Sequence, residues 1–285
     1  MNIYGEYTTV HDTREVYLSS QKSSDDALIL SFIRQVSRDI DRIARRIFYP
    51  MYETRYFDAP KYNTYDLELN DELISLTSVT NGDGAALDIT KLILYELNSP
   101  TKHKIRLLPT VSVWKNSSVT GTPDKAITVV GLWGNIYDRT AGWQWRFVLS
   151  AQISDSATSF TATPGIFFPG MIIKIDDEYM YVSAVSYASA TATPPTTVDT
   201  LTVERAINGS VAVLHVISSL VYIWSAGHDI TMLTAAASVG YYNLKSNPLA
   251  SSFTIDGVSF QTPKDVSEFI RDRLAKLTVL RLGFA

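Results

Sequence analysis

"DDALILSFIRQVSRDIDRIARRIFYPMYETRYF", residues 25–57, contains the change of period on which the fold turns. Ile29, Ile33, Val36, Ile40, Ile43 and Ile47 recur at spacings of 4, 3, 4, 3 and 4, which lines them along one side of a helix over about 24–48. Ser23, Ser24, Asp25 and Asp26 supply capping oxygens and early negative charge, both favoured at a helix N-terminus. Pro50 closes the segment, because the residue before a proline is pushed out of helical geometry. From Glu53 onward the apolar residues alternate, and the period of two belongs to strands.

The polar side of the same helix carries Arg34, Arg38, Arg42 and Arg46, one residue per turn. Asp39 stands three before Arg42 and Asp41 four before Arg45, spacings that allow ion pairs within the helix. Residues 24–47 hold five arginines against four aspartates, a net of +1, too little for a face that tracks phosphates. The stripe reads instead as the wet side of a packed helix and a candidate contact with a neighbouring subunit.

Working outward, strands are expected at 53–57, 73–80, 92–96, 105–113 and 126–133, separated by turn clusters such as Asn81-Gly-Asp-Gly. "WQWRF" would put Trp143, Trp145 and Phe147 on one side of a strand. Residues 149–218 read as a separate small β unit. In it "MIIKIDDEYMYVSAV" gives two strands around an Asp176-Asp177-Glu178 turn, and "LTVERAINGSVAVLHV" gives two more around Asn208-Gly209. Helix returns at 228–246, where Ile230, Leu233, Ala237, Tyr241 and Leu244 share a face. A hairpin turning at Asp256-Gly257 follows. A last helix, 263–281, opens with proline at its first position and carries Val266, Ile270, Leu274, Leu277 and Leu280 on its apolar face. Phe269 and Phe284 lie off that face, so the C-terminus is a candidate docking element as well as a candidate core helix.

The totals narrow the function. Of 285 residues, 46% are hydrophobic and 19% charged, a globular balance, and the net charge is −4 with a pI near 5.6. A general DNA-gripping surface would be basic. The absence of cysteine excludes disulfides, thiolate metal sites and cysteine nucleophiles. No signal peptide and no membrane span are expected. Nucleophile-elbow, zinc-protease and Walker motifs are missing, and His11, His103, His215 and His228 are too scattered to predict a metal set. Asp176, Asp177 and Glu178 could serve a hard cation or acid–base chemistry, but a hairpin turn explains them more simply. The tryptophans could form a sugar- or base-stacking platform, against the simpler reading of core or subunit interface.

The segment "DDALILSFIRQVSRDIDRIARRIFYP" followed by "ETRYFDAP", and later "ITVVGLWG" at 127–134, resembles the head-to-tail connector, or adaptor, proteins of long-tailed phages. The shared pattern is a helix ending in Arg, aromatic and Pro, a strand with an aromatic-Asp step, and a Val-x-Gly-x-Trp-Gly strand. "PGMIIKIDDEYMYVSAV … LTVERAINGSVAVLHV" resembles a small β module of phage structural proteins. Its pattern is Gly-x-x-Ile-x-Ile-x-x-Glu, then Val-x-Arg-Gly-x-x-Gly-Thr and a His; here Ala206 and Ser210 replace the usual Gly and Thr.

The resemblance implies an α+β fold: a helical adaptor core of 1–148 and 219–285, with the β region 53–148, and an inserted small β-barrel or sandwich at 149–218. It implies a virion protein at the head–tail interface, present in the host cytoplasm during assembly. Such a protein forms a ring, commonly of twelve copies, that extends the DNA channel beneath the portal and seats the tail or next completion protein. The expected partners are portal, a tail or neck completion protein, further copies of itself, and passing double-stranded DNA without sequence reading; no membrane is involved. No enzyme activity, catalytic residue, metal or cofactor is expected. Phe269, Ile270, Arg273, Leu277 and Phe284 are the candidate portal-docking residues. A tail-completion or tail-terminator protein is the neighbouring alternative, and a carbohydrate-binding module or glycosidase using the tryptophans and Asp176–Glu178 is the distant one.

Overall fold

A computed structural model describes residues 4–18, 25–61, 65–136, 141–189, 191, 196–246, 253–255, 257–261 and 263–282. The expected helical core is not what the chain builds. Two antiparallel sheets of six strands each carry the architecture, and the described helices number four, of 8, 19, 19 and 20 residues. The reason is burial. Each sheet closes its own hydrophobic core, so the helices, which pack on one another, are not the single core of the fold. The chain divides into two compact units, residues 46–139 and the remainder, 1–45 with 140–285.

The continuous unit contains β1 (Met51–Phe57), β2 (Asp66–Thr80), β3 (Ala86–Leu87), β4 (Leu92–Tyr95), β5 (Lys102–Leu107) and β6 (Ile127–Trp133). Their order is β1-β6-β2-β5-β4, with β3 on β2. β1 and β6 pair along their whole length, from Met51 opposite Trp133 to Phe57 opposite Ile127. Leu73, Val79, Ile105, Leu107, Ile127 and Trp133 are fully buried in the core. Gly131 admits no side chain, since a Cβ there would lie 2.4 Å from the Ser75 carbonyl oxygen.

The discontinuous unit begins with α1 (Val10–Tyr17) and α2 (Asp26–Ala44). It resumes with β7 (Gly142–Val148), β8 (Ser159–Ala162), β9 (Ile172–Ile175), β10 (Glu178–Ser186), β11 (Asp199–Glu204) and β12 (Leu220–Ser225). α3 (His228–Ser246), the hairpin β13 (Phe253–Ile255) with β14 (Val258–Phe260), and α4 (Pro263–Leu282) complete it. The sheet order is β7-β12-β9-β10-β11-β8. The four strands of 149–218 therefore share one sheet with β7 and β12, which flank that segment.

α2 buries Ile29, Ile33, Val36 and Ile40, as its seam requires, and packs on α3, where Phe32 stacks with Tyr241 at 6.0 Å. It ends earlier than expected because Arg45 turns left-handed at φ 53. In β7 a register shift between Val221 and Tyr222 of β12 leaves Arg146 as the extra residue. It sends Phe147 into the core and leaves Trp145 56% exposed, so the three aromatics of "WQWRF" do not share a side.

Candidate functional site

A dense polar arrangement lies at the turn between β9 and β10. Asp176 and Asp177 make the turn, with Asp176 left-handed at φ 51, as the hairpin reading expects. Glu178 opens β10 and is fully buried. A buried carboxylate is tolerated only when it is paired and its lone pairs are used. Here Arg205 grips it bidentately, with Nη2 donating to Oε2 at 2.6 Å and Nε to Oε1. The Val213 N–H donates to Oε2 at 3.0 Å and the Ala206 N–H to Oε1 at 3.3 Å.

His215, also fully buried, places Nε2 2.9 Å from Glu178 Oε2 and Nδ1 2.7 Å from Asp176 Oδ2. Burial pushes the Glu178 carboxyl up. The Arg205 hydrogen bond, the Val213 N–H and His215 outweigh it and hold the group below the ordinary glutamate value. Arg205 uses its remaining donors on the carbonyl oxygens of Ser154 (2.7 Å), Ala157 (3.0 Å) and Val213 (2.7 Å).

This is a knot, not a catalytic relay. Both histidine nitrogens face carboxylates, which leaves none to activate a nucleophile, and the Ser219 hydroxyl points to Asp176 Oδ2 at 3.4 Å. The knot holds together the 154–157 loop, the start of β10 and the segment 205–215. Ile207, Asn208 and His215 of that segment are fully buried, while Val211 is 71% and Leu214 50% exposed. The three central residues are the Glu, Arg and His of the second sequence pattern. Ala206, where that pattern has glycine, takes the left-handed φ of 56 that favours glycine. Ser210 Oγ accepts from the Tyr179 N–H at 2.9 Å and donates to the Ile207 carbonyl at 2.9 Å, roles that a threonine hydroxyl fills equally. Histidine spacing does not reveal His215, because its partners lie 37 and 39 residues away.

The arginine stripe is occupied within the chain. Arg34 pairs with Glu6 at 2.7 Å and donates to the Tyr181 hydroxyl at 3.0 Å. Arg38 reaches the Gly5 carbonyl (2.6 Å) and Asp41 (3.0 Å), and Arg42 pairs with Asp39 (2.9 Å). Arg46, beyond the end of α2, pairs with Glu72 at 2.8 Å. Asn208 ties down the N-terminal arm, accepting from the Tyr4 N–H at 2.8 Å and donating to the Tyr4 carbonyl at 2.7 Å. The Tyr4 ring stacks on Tyr181 at 4.1 Å. Burial, the Glu204 hydrogen bond and nearby negative charge push the Tyr4 hydroxyl up to about 12.

Of the C-terminal candidates, Phe269 and Ile270 are buried inside the chain and Arg273 is half-buried, its guanidinium 5.4 Å from the Phe269 ring centroid. Leu277 belongs to α4, and Phe284 lies outside the described residues. His228, Asp229, Met232, Phe269, Arg273 and Lys276 line a groove of about 230 Å3 between α3 and α4. His11, Asp12 and Glu15 on α1 bring potential metal-binding atoms within 4.8 Å of one another. Asp12 already accepts from the Thr9 hydroxyl, and the His11 ring stacks on Phe168 at 3.8 Å. No helix among the described residues is long and apolar enough to cross a membrane. No protein-family model, no curated protein and no solved structure matches the chain.

Proposed function

We propose that the chain is a virion structural protein of the phage neck, a head-to-tail connector without catalytic activity. The observation that carries this reading is the place its sequence patterns take in the fold. The strand of "ETRYFDAP" lies in register beside that of "ITVVGLWG". Within the latter, Gly131 has no room for a side chain, Trp133 is fully buried, and Gly134 sits at φ +146 against the Tyr49 carbonyl. Glu178, Arg205 and His215 of the second pattern meet in one buried knot. Residues fixed by such constraints are those a fold-marking pattern would retain. The reading rests on these patterns and not on a helical core, which the chain lacks.

In this reading the ring extends the portal's channel, and a net charge of −4 suits a duct that does not grip passing DNA. Portal, a tail or neck completion protein and further copies of the chain are its partners. Of the proposed portal-docking residues Phe269, Ile270 and Arg273, Arg273 is the one not fully buried, and it lines the α3–α4 groove beside Lys276. Mass photometry of the purified chain, alone and mixed with its cognate portal, tests the proposal. A monomer or small oligomer alone and a closed ring on portal are expected. A stable dimer indifferent to portal would count against it.

A further inference from the structure

The face of the β7–β12–β9–β10 sheet opposite its core carries a second arrangement, independent of the neck reading. Val221, Ile223, Ile173, Ile175 and Met180 point into the core. Their neighbours Tyr222, Trp224, Lys174 and Tyr179 therefore share the other face with Trp143. Trp143 meets Trp224 edge-on at 5.0 Å and Tyr179 at 5.1 Å. Trp145, 56% exposed, stands opposite Tyr222 in register and extends the aromatic strip toward solvent. An open cleft of about 570 Å3 lies against this strip, lined by Trp143, Lys174, Asp176, Asp177, Ser219 and Tyr222.

We infer that this cleft binds a neutral oligosaccharide. Trp224 and Tyr179 are buried and back the strip, while Trp143 and Tyr222 line the cleft and can offer apolar ring faces to the C–H faces of pyranose rings. Beside them stand the groups that recognise hydroxyls. The Asp177 side chain is fully exposed, with Lys174 Nζ 3.7 Å from its Oδ1 and 5.9 Å from the Trp143 ring centroid. Asp176 Oδ2 is held from behind by His215 and Ser219, which preorganises the carboxylate at the cleft wall. The Trp143 Nε1–H, on a ring that lines the cleft, is buried and has no hydrogen-bond acceptor among the described residues.

Two carboxylates against one ammonium disfavour phosphate, sulfate and carboxylate groups, so the ligand is neutral and neither a nucleic acid nor an acidic glycan. The site binds and does not hydrolyse. Glu178, the third carboxylate of the turn, is locked by Arg205, Val213 and His215, which leaves it unavailable as acid or base.

The test is an array of neutral oligosaccharides, including cello-, malto- and chito-oligosaccharides, probed with the intact chain. Calorimetry on the best ligand follows, with dT10 and a heparin-derived oligosaccharide as anionic comparators. Tyr222→Ala and Asp177→Asn alter side chains that line the cleft, and a cooperative melt of each variant shows that it still folds. Each should weaken binding by about tenfold or more, the factor associated with losing one charge-assisted hydrogen bond or one stacking face. The proposal is overturned if no neutral glycan binds, if an anionic comparator binds more tightly, or if both variants bind as wild type does.

Discussion

Ala206 holds a backbone conformation that a side chain resists. At φ 56 a non-glycine residue sits about 1–2 kcal/mol above its relaxed state, while glycine adds about 0.5–1 kcal/mol of unfolded-state entropy to be lost. Ala206→Gly is therefore expected to stabilise the fold by up to about 1 kcal/mol, read as a higher urea midpoint at constant slope; a lower midpoint would contradict the assigned conformation. Glu178 works in the opposite direction. Glu178→Gln removes the charge that Arg205 and His215 enclose and should cost roughly 3–5 kcal/mol, because a buried charge is left uncompensated. The same group predicts a pH dependence. Its folded pKa lies below the unfolded value of 4.5, so its contribution is fully present above that value and is lost as pH falls through the folded pKa. Thermal melts from pH 6 down to about pH 3 should show this loss in the wild type and a flatter acid limb in Glu178→Gln.

Among the elements, α2 was the most legible and its end the least. The seam Ile29, Ile33, Val36 and Ile40 could be read because helical neighbours are close in sequence, and all four are buried. Ile33→Ala is expected to cost about 2–5 kcal/mol in denaturant melts, the range for emptying a closed core site; a change under about 1 kcal/mol would mean that the α2 seam is not buried. Ile47 continues the period yet falls outside α2, because its carbonyl accepts from the Asn135 N–H at 2.7 Å, a pairing no local pattern contains. β2 shows the same limit. The expected strand begins at 73, but Asp66 is fixed by Arg106 Nη2 at 2.7 Å from β5, and the strand extends back to residue 66. Arg146 bulges where alternation predicted a straight strand, and His215 finds its carboxylates only through the folded sheet. Periodicity reveals which residues face inward. It is silent on strand order, bulges and charge partners, which gave the helices too much weight in the expected fold and hid the knot.

At the scale of the molecule, residues 46–139 form one uninterrupted compact unit with their own core, bounded by segments of the other unit. Expressed alone, this fragment is expected to give a β-type circular dichroism spectrum and a cooperative thermal transition; a featureless melt would mean that its core needs the rest of the chain. The whole chain's proposed role is to assemble, and its charge pairs bear on how. The stripe arginines already have partners within the chain, so a subunit contact there would share or exchange those pairs and not supply new ones. Such contacts weaken with salt. The most direct test of the connector reading is negative-stain imaging of the chain mixed with its cognate portal at low salt. Class averages are predicted to show an added ring coaxial with the portal, on the side facing the tail. Portals that remain bare at saturating chain, or the chain seated on tail tubes and not on portals, would contradict it.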